Sequence, residues 1–275
     1  MENFSAQYPV WLCDIWGVVH NGFVSFEPAT YALAKHRNAG GIVILITNSP
    51  RTAKGVARQL AEIAVPNECY DAIVTSGDVT QTLMMQIEQG RIFHLGANRD
   101  LSIFEDIKIE RVDLPYANAV LCTGLVNDEV ETPDDYTSLL THAHALGLPM
   151  ICANPDKMVR KGDRLLYCAG ALAEKYAAMG GKVIMAGKPY APIYELAYKL
   201  ATDLAKQELP KYRILAIGDG PETDIRGAAD FGLDAVLIAD GVTDASKGLE
   251  AAQAHVQRLV PQARIRKTMG HLSWF

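Results

Sequence analysis

Four short polar clusters in this sequence carry side chains suited to phosphoryl chemistry. They are Cys13-Asp14-Ile15-Trp16-Gly17-Val18, Ile46-Thr47-Asn48-Ser49, Ala186-Gly187-Lys188-Pro189 and Gly218-Asp219-Gly220-Pro221-Glu222-Thr223-Asp224. Two carboxylates from separate segments, Asp14 and Asp219, can share a hard cation such as Mg²⁺, which takes oxygen ligands. Thr47 and Asn48 offer a hydroxyl, an amide and backbone N–H groups to anionic oxygens near a helix start. Lys188 adds a positive charge. A metal-adjacent Asp can attack phosphorus and form an aspartyl-phosphate that water then hydrolyses, the metal offsetting anionic charge. Each cluster also has a plainer explanation. Asp14 at a strand end can be an N-cap or turn former, Thr47-Asn48-Ser49-Pro50 can cap the next helix, Lys188 can be a solvated surface residue, and Asp219-Gly220 can be a tight turn. The order of all four, each following a run of apolar residues, favours a shared site.

Apolar β-branched runs predict strands at Val10–Trp16, Ile42–Thr47, Ala72–Ser76, Val183–Met185, Ile214–Ile217 and Ala235–Ile238, with helical periodicity at Pro28–Asn38, Thr52–Ile63, Ala191–Leu204, Glu222–Phe231 and Gly248–Leu259. Strands apolar on both faces and separated by helices predict a doubly wound, Rossmann-like parallel α/β sheet, whose ligands sit at the carboxyl ends of the strands. The middle of the chain has its own strands (Arg91–Leu95, Ala119–Cys122, Met150–Ala153) and helices (Val79–Gln89, Pro133–Ala145, Ala169–Met179). It reads as a second α/β unit inserted into the first. The expected division is a core of residues 1–77 and 182–275 and an insert of residues 78–181.

Composition excludes several classes. The chain has 275 residues, 49% hydrophobic and 21% charged, with 26 Lys+Arg against 32 Asp+Glu for a net charge of −6. A mildly acidic chain without a basic run is a poor partner for nucleic acid or an anionic membrane. No stretch approaches the ~20 apolar residues of a membrane span, and the start lacks a secretory pattern. Five cysteines have no CxxC spacing, and four of them, Cys13, Cys122, Cys152 and Cys168, sit in apolar surroundings that predict small core side chains in a reducing compartment, so a cytoplasmic location is expected.

The ordered clusters resemble the haloacid dehalogenase (HAD) superfamily, specifically subfamily IIA, the NagD-like phosphatases. DIWGV at 14–18, TN at 47–48, GKP at 187–189 and GDGPETD at 218–224 match its four motifs, and the insert falls where the subfamily carries its cap. Thr75-Ser76-Gly77-Asp78 and Asn154-Pro155-Asp156 are further subfamily-like pieces. The resemblance implies Asp14 as nucleophile and Mg²⁺ ligand, together with the backbone carbonyl of Trp16. It further implies Asp219 as a direct ligand, with Asp224 acting indirectly through water or Lys188. Thr47 and Asn48 would bind phosphoryl oxygens, and Lys188 would orient Asp14 and the phosphate. The cap would select the leaving group, making Asn154 and Asp156 candidates for a specificity loop, although Asn-Pro-Asp is equally a turn sequence. The expected partner is a small phosphorylated substrate such as a sugar phosphate or nucleotide. Capped relatives often pair through the cap, so a homodimer of that kind is the arrangement to test.

One residue departs from the family pattern. The second carboxylate of the first motif, which protonates the leaving oxygen, is replaced by Trp16. An indole has an N–H donor but no usable pKa, and losing a general acid typically costs ~10²–10⁴-fold in rate. Either substrates have good leaving groups, or another residue substitutes, or the chain binds phospho-ligands with weak, vestigial catalysis. His20 is the nearest titratable candidate, although His20-Asn21-Gly22 also reads as a plain loop. Trp16 is then a wall of the pocket or a stacking platform. Metal-free dehalogenation fits the Asp14/Asp219 pair poorly. A dinucleotide site would need a G-x-G-x-x-G after the first strand, which is absent.

Overall fold

The computed structural model describes residues 1–161, 164–241 and 248–275. Its strands, in chain order, are β1 (Val10–Asp14), β2 (Ile42–Thr47), β3 (Ala72–Thr75), β4 (Arg91–Leu95), β5 (Glu110–Arg111), β6 (Ala119–Cys122), β7 (Met150–Cys152), β8 (Met158–Lys161), β9 (Arg164–Tyr167), β10 (Val183–Met185), β11 (Ile214–Gly218), β12 (Asp234–Ile238) and β13 (Arg264–Met269). The chain divides into two compact units. No helix among the described residues is long and apolar enough to cross a membrane.

The first unit comprises Met1–Thr47, Ala57–Val74 and Lys188–Phe275. Its sheet has the order β13-β12-β11-β1-β2-β3. β1 pairs in parallel with both β2 and β11, and every residue of β1 and β11 is buried. Burial on both faces explains their continuous apolar sequences. The register sets Cys13 beside Ile217 and Asp14 beside Ile46. Asp14, Thr47 and Asp219 therefore reach the same carboxyl edge, where β1, β2 and β11 end. β1 stops at Asp14 rather than continuing to Trp16, because Gly17 turns the chain with φ of 84°. The expected helix over 222–231 begins as a π-helical turn, Pro221–Ile225, before α-helix Arg226–Phe231.

Beneath the sheet, Trp11 and His36 stack with ring centroids 3.9 Å apart and planes 2° from parallel. His36 Nδ1 is 2.7 Å from Ser5 Oγ, while His36 Nε2 and Trp11 Nε1 are buried without a hydrogen-bond partner. Burial pushes the His36 imidazole down to about 4 from an ordinary 6.5. Unfolding restores the ordinary value, so the unfolded chain binds the proton first as pH falls. The resulting stability is complete above pH 6.5 and is lost as pH drops from 6.5 towards 4, by about 3 kcal/mol. In denaturant titrations across that range, His36→Phe keeps the stack and flattens the acid limb. An unchanged acid limb in His36→Phe contradicts this assignment.

The second unit comprises Asn48–Val56 and Thr75–Gly187. A five-stranded parallel sheet, β10-β7-β6-β4-β5, is accompanied by the antiparallel hairpin β8-β9. Buried Val120, Leu140, Met150, Leu172 and Tyr176 fill one of its cores. This unit differs from the expected insert at both margins. β10 pairs with β7, Val183 beside Met150, so Val183–Met185 join this unit's sheet and the unit runs to Gly187. Residues 48–56 also join this unit. Asp78 explains why: its Oδ2 accepts the Thr75 N–H in a capping box, and its Oδ1 accepts the Ala53 N–H at 3.1 Å. One carboxylate thus ties the starts of helices Ala53–Glu62 and Ser76–Met84 together. That cap also starts the second helix at Ser76, three residues before the expected Val79.

Candidate active site

The site in the first unit is built around a buried lysine. Lys188 Nζ donates to Asp14 Oδ1 at 2.5 Å and to Asp224 Oδ1 at 2.7 Å, and to the Ile46 carbonyl oxygen at 3.3 Å. Lys188 precedes helix Ala191–Ala205, Asp14 ends β1, and Asp224 lies in the π-helical turn after β11. Asp224 Oδ2 is held in turn by the Gly220 N–H at 3.1 Å and by the Thr223 hydroxyl at 3.3 Å. Asp14, Lys188, Asp219 and Asp224 are all buried, as are Thr47 and Asn48.

Two carboxylates on one ammonium leave negative charge in excess. Burial, then the neighbouring Asp224 carboxylate, pushes Asp14 up to about 7, with Lys188 acting against the rise. Burial alone acts to lower Lys188, but Asp14 and Asp224 outweigh it and hold the ammonium well above its ordinary value. Ligand oxygens of Asp14, Asp219 and Asp224 lie within 4.8 Å of one another. Asp219 is gripped from two sides: a Cβ at Gly17 would lie 2.2 Å from its Oδ2, and a Cβ at Gly241 would lie 1.8 Å from the same atom. Buried, oxygen-only and over-charged, this donor set fits a hard divalent cation. Asp14, Asp219 and Asp224 are the carboxylates that would hold it, Asp14 and Asp224 being shared with Lys188. Gly241 was not expected from the sequence, although it follows the carboxyl end of β12 and the edge rule points to it.

Trp16 and His20 lie on the loop after β1. The indole meets the His20 ring edge-on at 5.2 Å, and a Cβ at Gly22, whose φ is 92°, would lie 2.5 Å from the indole. His20 Nδ1 accepts the Gly22 N–H at 2.9 Å, and the His20 carbonyl accepts the Gly17 N–H at 2.8 Å. Burial pushes His20 down to about 4. It is a neutral imidazole near pH 7 with Nδ1 already engaged, so the expected acid is not poised there. The geometry gives His20 the work of holding this loop, with the Trp16 indole packed between His20 and Gly22.

In the second unit, Asp156 faces Asn48, whose Nδ2 donates to Asp156 Oδ1 at 2.9 Å. Asn154 Oδ1 accepts the Asp156 N–H at 3.0 Å. The loop read as a specificity element is therefore also an Asx turn aimed at a residue 108 positions earlier, a pairing that no local signal reveals.

A buried lysine between two carboxylates, with a third carboxylate beside them, lies at the carboxyl edge of a parallel sheet, where such sheets bind their ligands. Residues 11–110 match the haloacid dehalogenase-like hydrolase family, and residues 185–262 match a second family model described as HAD-hydrolase-like. A haloacid dehalogenase-like hydrolase from Brucella suis 1330 is 44% identical, with a TM-score of 0.89 over 99% of this chain and 98% of that one. The 5′-nucleotidase YutF of Bacillus subtilis is 25% identical over 241 residues, 86% of this chain and 89% of its own. A Mycobacterium tuberculosis glycerol phosphate phosphatase, solved with magnesium, is 21% identical with a TM-score of 0.70 over 98% of this chain and 76% of that one. The chain belongs to the haloacid dehalogenase-like hydrolase family.

Proposed function

We propose that this chain is a Mg²⁺-dependent phosphatase that hydrolyses a small phosphorylated metabolite, a sugar phosphate or nucleotide, through an aspartyl-phosphate on Asp14. The buried Asp14–Lys188–Asp224 arrangement beside Asp219 carries this reading. Lys188 holds Asp14 at a fixed angle for attack on phosphorus, and the ester oxygen leaves with the bonding electrons. Water then hydrolyses the phosphorylated Asp14 and regenerates the carboxylate. Mg²⁺, when bound, supplies the positive charge that lets one anion approach another. Thr47 and Asn48 take the phosphoryl oxygens. The 5′-nucleotidase and glycerol phosphate phosphatase relatives favour small phosphate esters as substrates. Five buried free cysteines fit a cytoplasmic setting, and pairing through the inserted unit is the oligomer to look for by mass measurement.

Trp16 favours a second reading, phospho-ligand binding with weak turnover, and one experiment separates the two. Acetyl phosphate, p-nitrophenyl phosphate and a panel of alkyl phosphates are assayed with and without Mg²⁺. The expected result is Mg²⁺-dependent turnover strongly biased to good leaving groups, by ~10²-fold or more, because no acid protonates the departing oxygen. Equal rates on alkyl esters mean that another residue supplies the proton. Binding of inorganic phosphate without turnover of any ester establishes the second reading, and turnover indifferent to Mg²⁺ overturns the first.

A further inference from the structure

We propose that Asp156 is a positioning residue for Asn48, fixing the amide that receives the phosphoryl group; the inference rests on the phosphatase reading above and deepens it. A carboxylate accepts hydrogen bonds and cannot donate them, so the atom facing Asp156 Oδ1 at 2.9 Å must be the Asn48 NH₂ group. That contact sets the amide's orientation. With one N–H committed to Asp156, the plane of the Asn48 amide is fixed.

The backbone of the acceptor is held through both its N–H and its carbonyl. The Asp156 backbone N–H donates to Asn154 Oδ1 at 3.0 Å, and its carbonyl accepts the Gly170 N–H at 3.1 Å. The next residue, Lys157, accepts the Cys168 N–H through its carbonyl at 2.9 Å. A Cβ at Gly170 would lie 2.1 Å from the Pro155 carbonyl oxygen, so helix Ala169–Ala178 presses directly against this turn. From the opposite side, a Cβ at Gly187 would lie 2.3 Å from Asn48 Oδ1 and 2.8 Å from Pro155 Cδ. Asn48 is thus enclosed between the turn and the backbone of the segment that leads to Lys188.

The charge of Asp156 makes the idea testable against plain electrostatics. A carboxylate near a phosphate subsite repels phosphate, so removing it should tighten phosphate binding if charge were its only effect. Positioning predicts the opposite. Steady-state kinetics on p-nitrophenyl phosphate and on two alkyl phosphates are measured with the Mg²⁺-loaded protein, together with the inhibition constant for inorganic phosphate and the melting temperature. Asp156→Ala is expected to weaken inorganic phosphate by about 10- to 100-fold and to lower kcat/KM by the same factor for every leaving group. Asp156→Asn, which keeps an acceptor oxygen at the same place, restores most of the loss. In an Asn48→Ala background, Asp156→Ala has no further effect on the phosphate constant.

Unchanged or tighter phosphate binding in Asp156→Ala overturns the proposal, as does a loss that differs between leaving groups while the phosphate constant stays put. The latter result assigns the loop to substrate selection. If Asp156→Ala does not fold, Asp156→Asn carries the test, and a full loss in that isosteric variant overturns the positioning role. A wild-type protein that neither turns over nor binds phosphate removes the functional reading itself. An active wild type with indifferent variants removes only this inference.

Discussion

Asp14→Asn is expected to lower phosphate monoester hydrolysis by about 10⁴-fold or more without unfolding the chain. In the proposed mechanism a carboxylate oxygen of Asp14 attacks phosphorus, and an amide of the same shape has no comparable nucleophilicity. Stability points the other way. Asp14 and Asp224 crowd a single ammonium, and burial raises Asp14 towards about 7. Neutralising Asp14 relieves that excess, while Lys188 keeps Asp224 as its partner. Melting temperature is therefore unchanged or higher without Mg²⁺, and activity is gone. Single-turnover assays beside thermal melts check both halves. Retained turnover in a folded Asp14→Asn protein removes Asp14 as the nucleophile.

Lys188→Met has the largest expected effect on the fold. The side chain is similar in length, but the charge that serves two buried carboxylates is lost. Removing one partner of a buried ion pair costs roughly 3–5 kcal/mol, because the remaining charge is neither solvated nor compensated. Here two carboxylates are stranded, so the upper part of that range is expected in urea titrations of the metal-free protein. Adding Asp14→Asn to Lys188→Met should recover part of the loss, since one stranded charge is then gone. A double variant no more stable than Lys188→Met shows that the lysine acts through packing alone.

Much of the first unit could be read from its sequence because its strands are buried on both faces. Val10–Asp14 and Ile214–Gly218 are apolar until the first polar residue, and that residue marks the carboxyl edge of the sheet. The shared edge position of Asp14, Thr47 and Asp219 was legible for this reason. What was hidden depended on pairing between distant segments. Val183–Met185 is a three-residue apolar run whose composition says strand but not which sheet, and its pairing with Met150–Cys152 moved the boundary. Met158–Lys161 and Arg164–Tyr167 alternate weakly and carry charges, so no hairpin was expected there. His20 has the ordinary titration range of an acid catalyst, and only its burial and the Gly22 N–H on Nδ1 show otherwise. Asp156 looked like part of a turn, which it is, but its side-chain partner lies in a segment that pattern alone assigned to the core.

The contact between the Trp16 indole and the bare backbone of Gly22 makes these two positions interdependent. A side chain at 22 has no room while the indole is present, and the backbone there already sits at a positive φ. Replacing Trp16 with a small carboxylate would empty the space that the indole fills against Gly22. Substitutions at 16 and 22 are therefore expected to be non-additive, a side chain at 22 being tolerated only once the indole is gone.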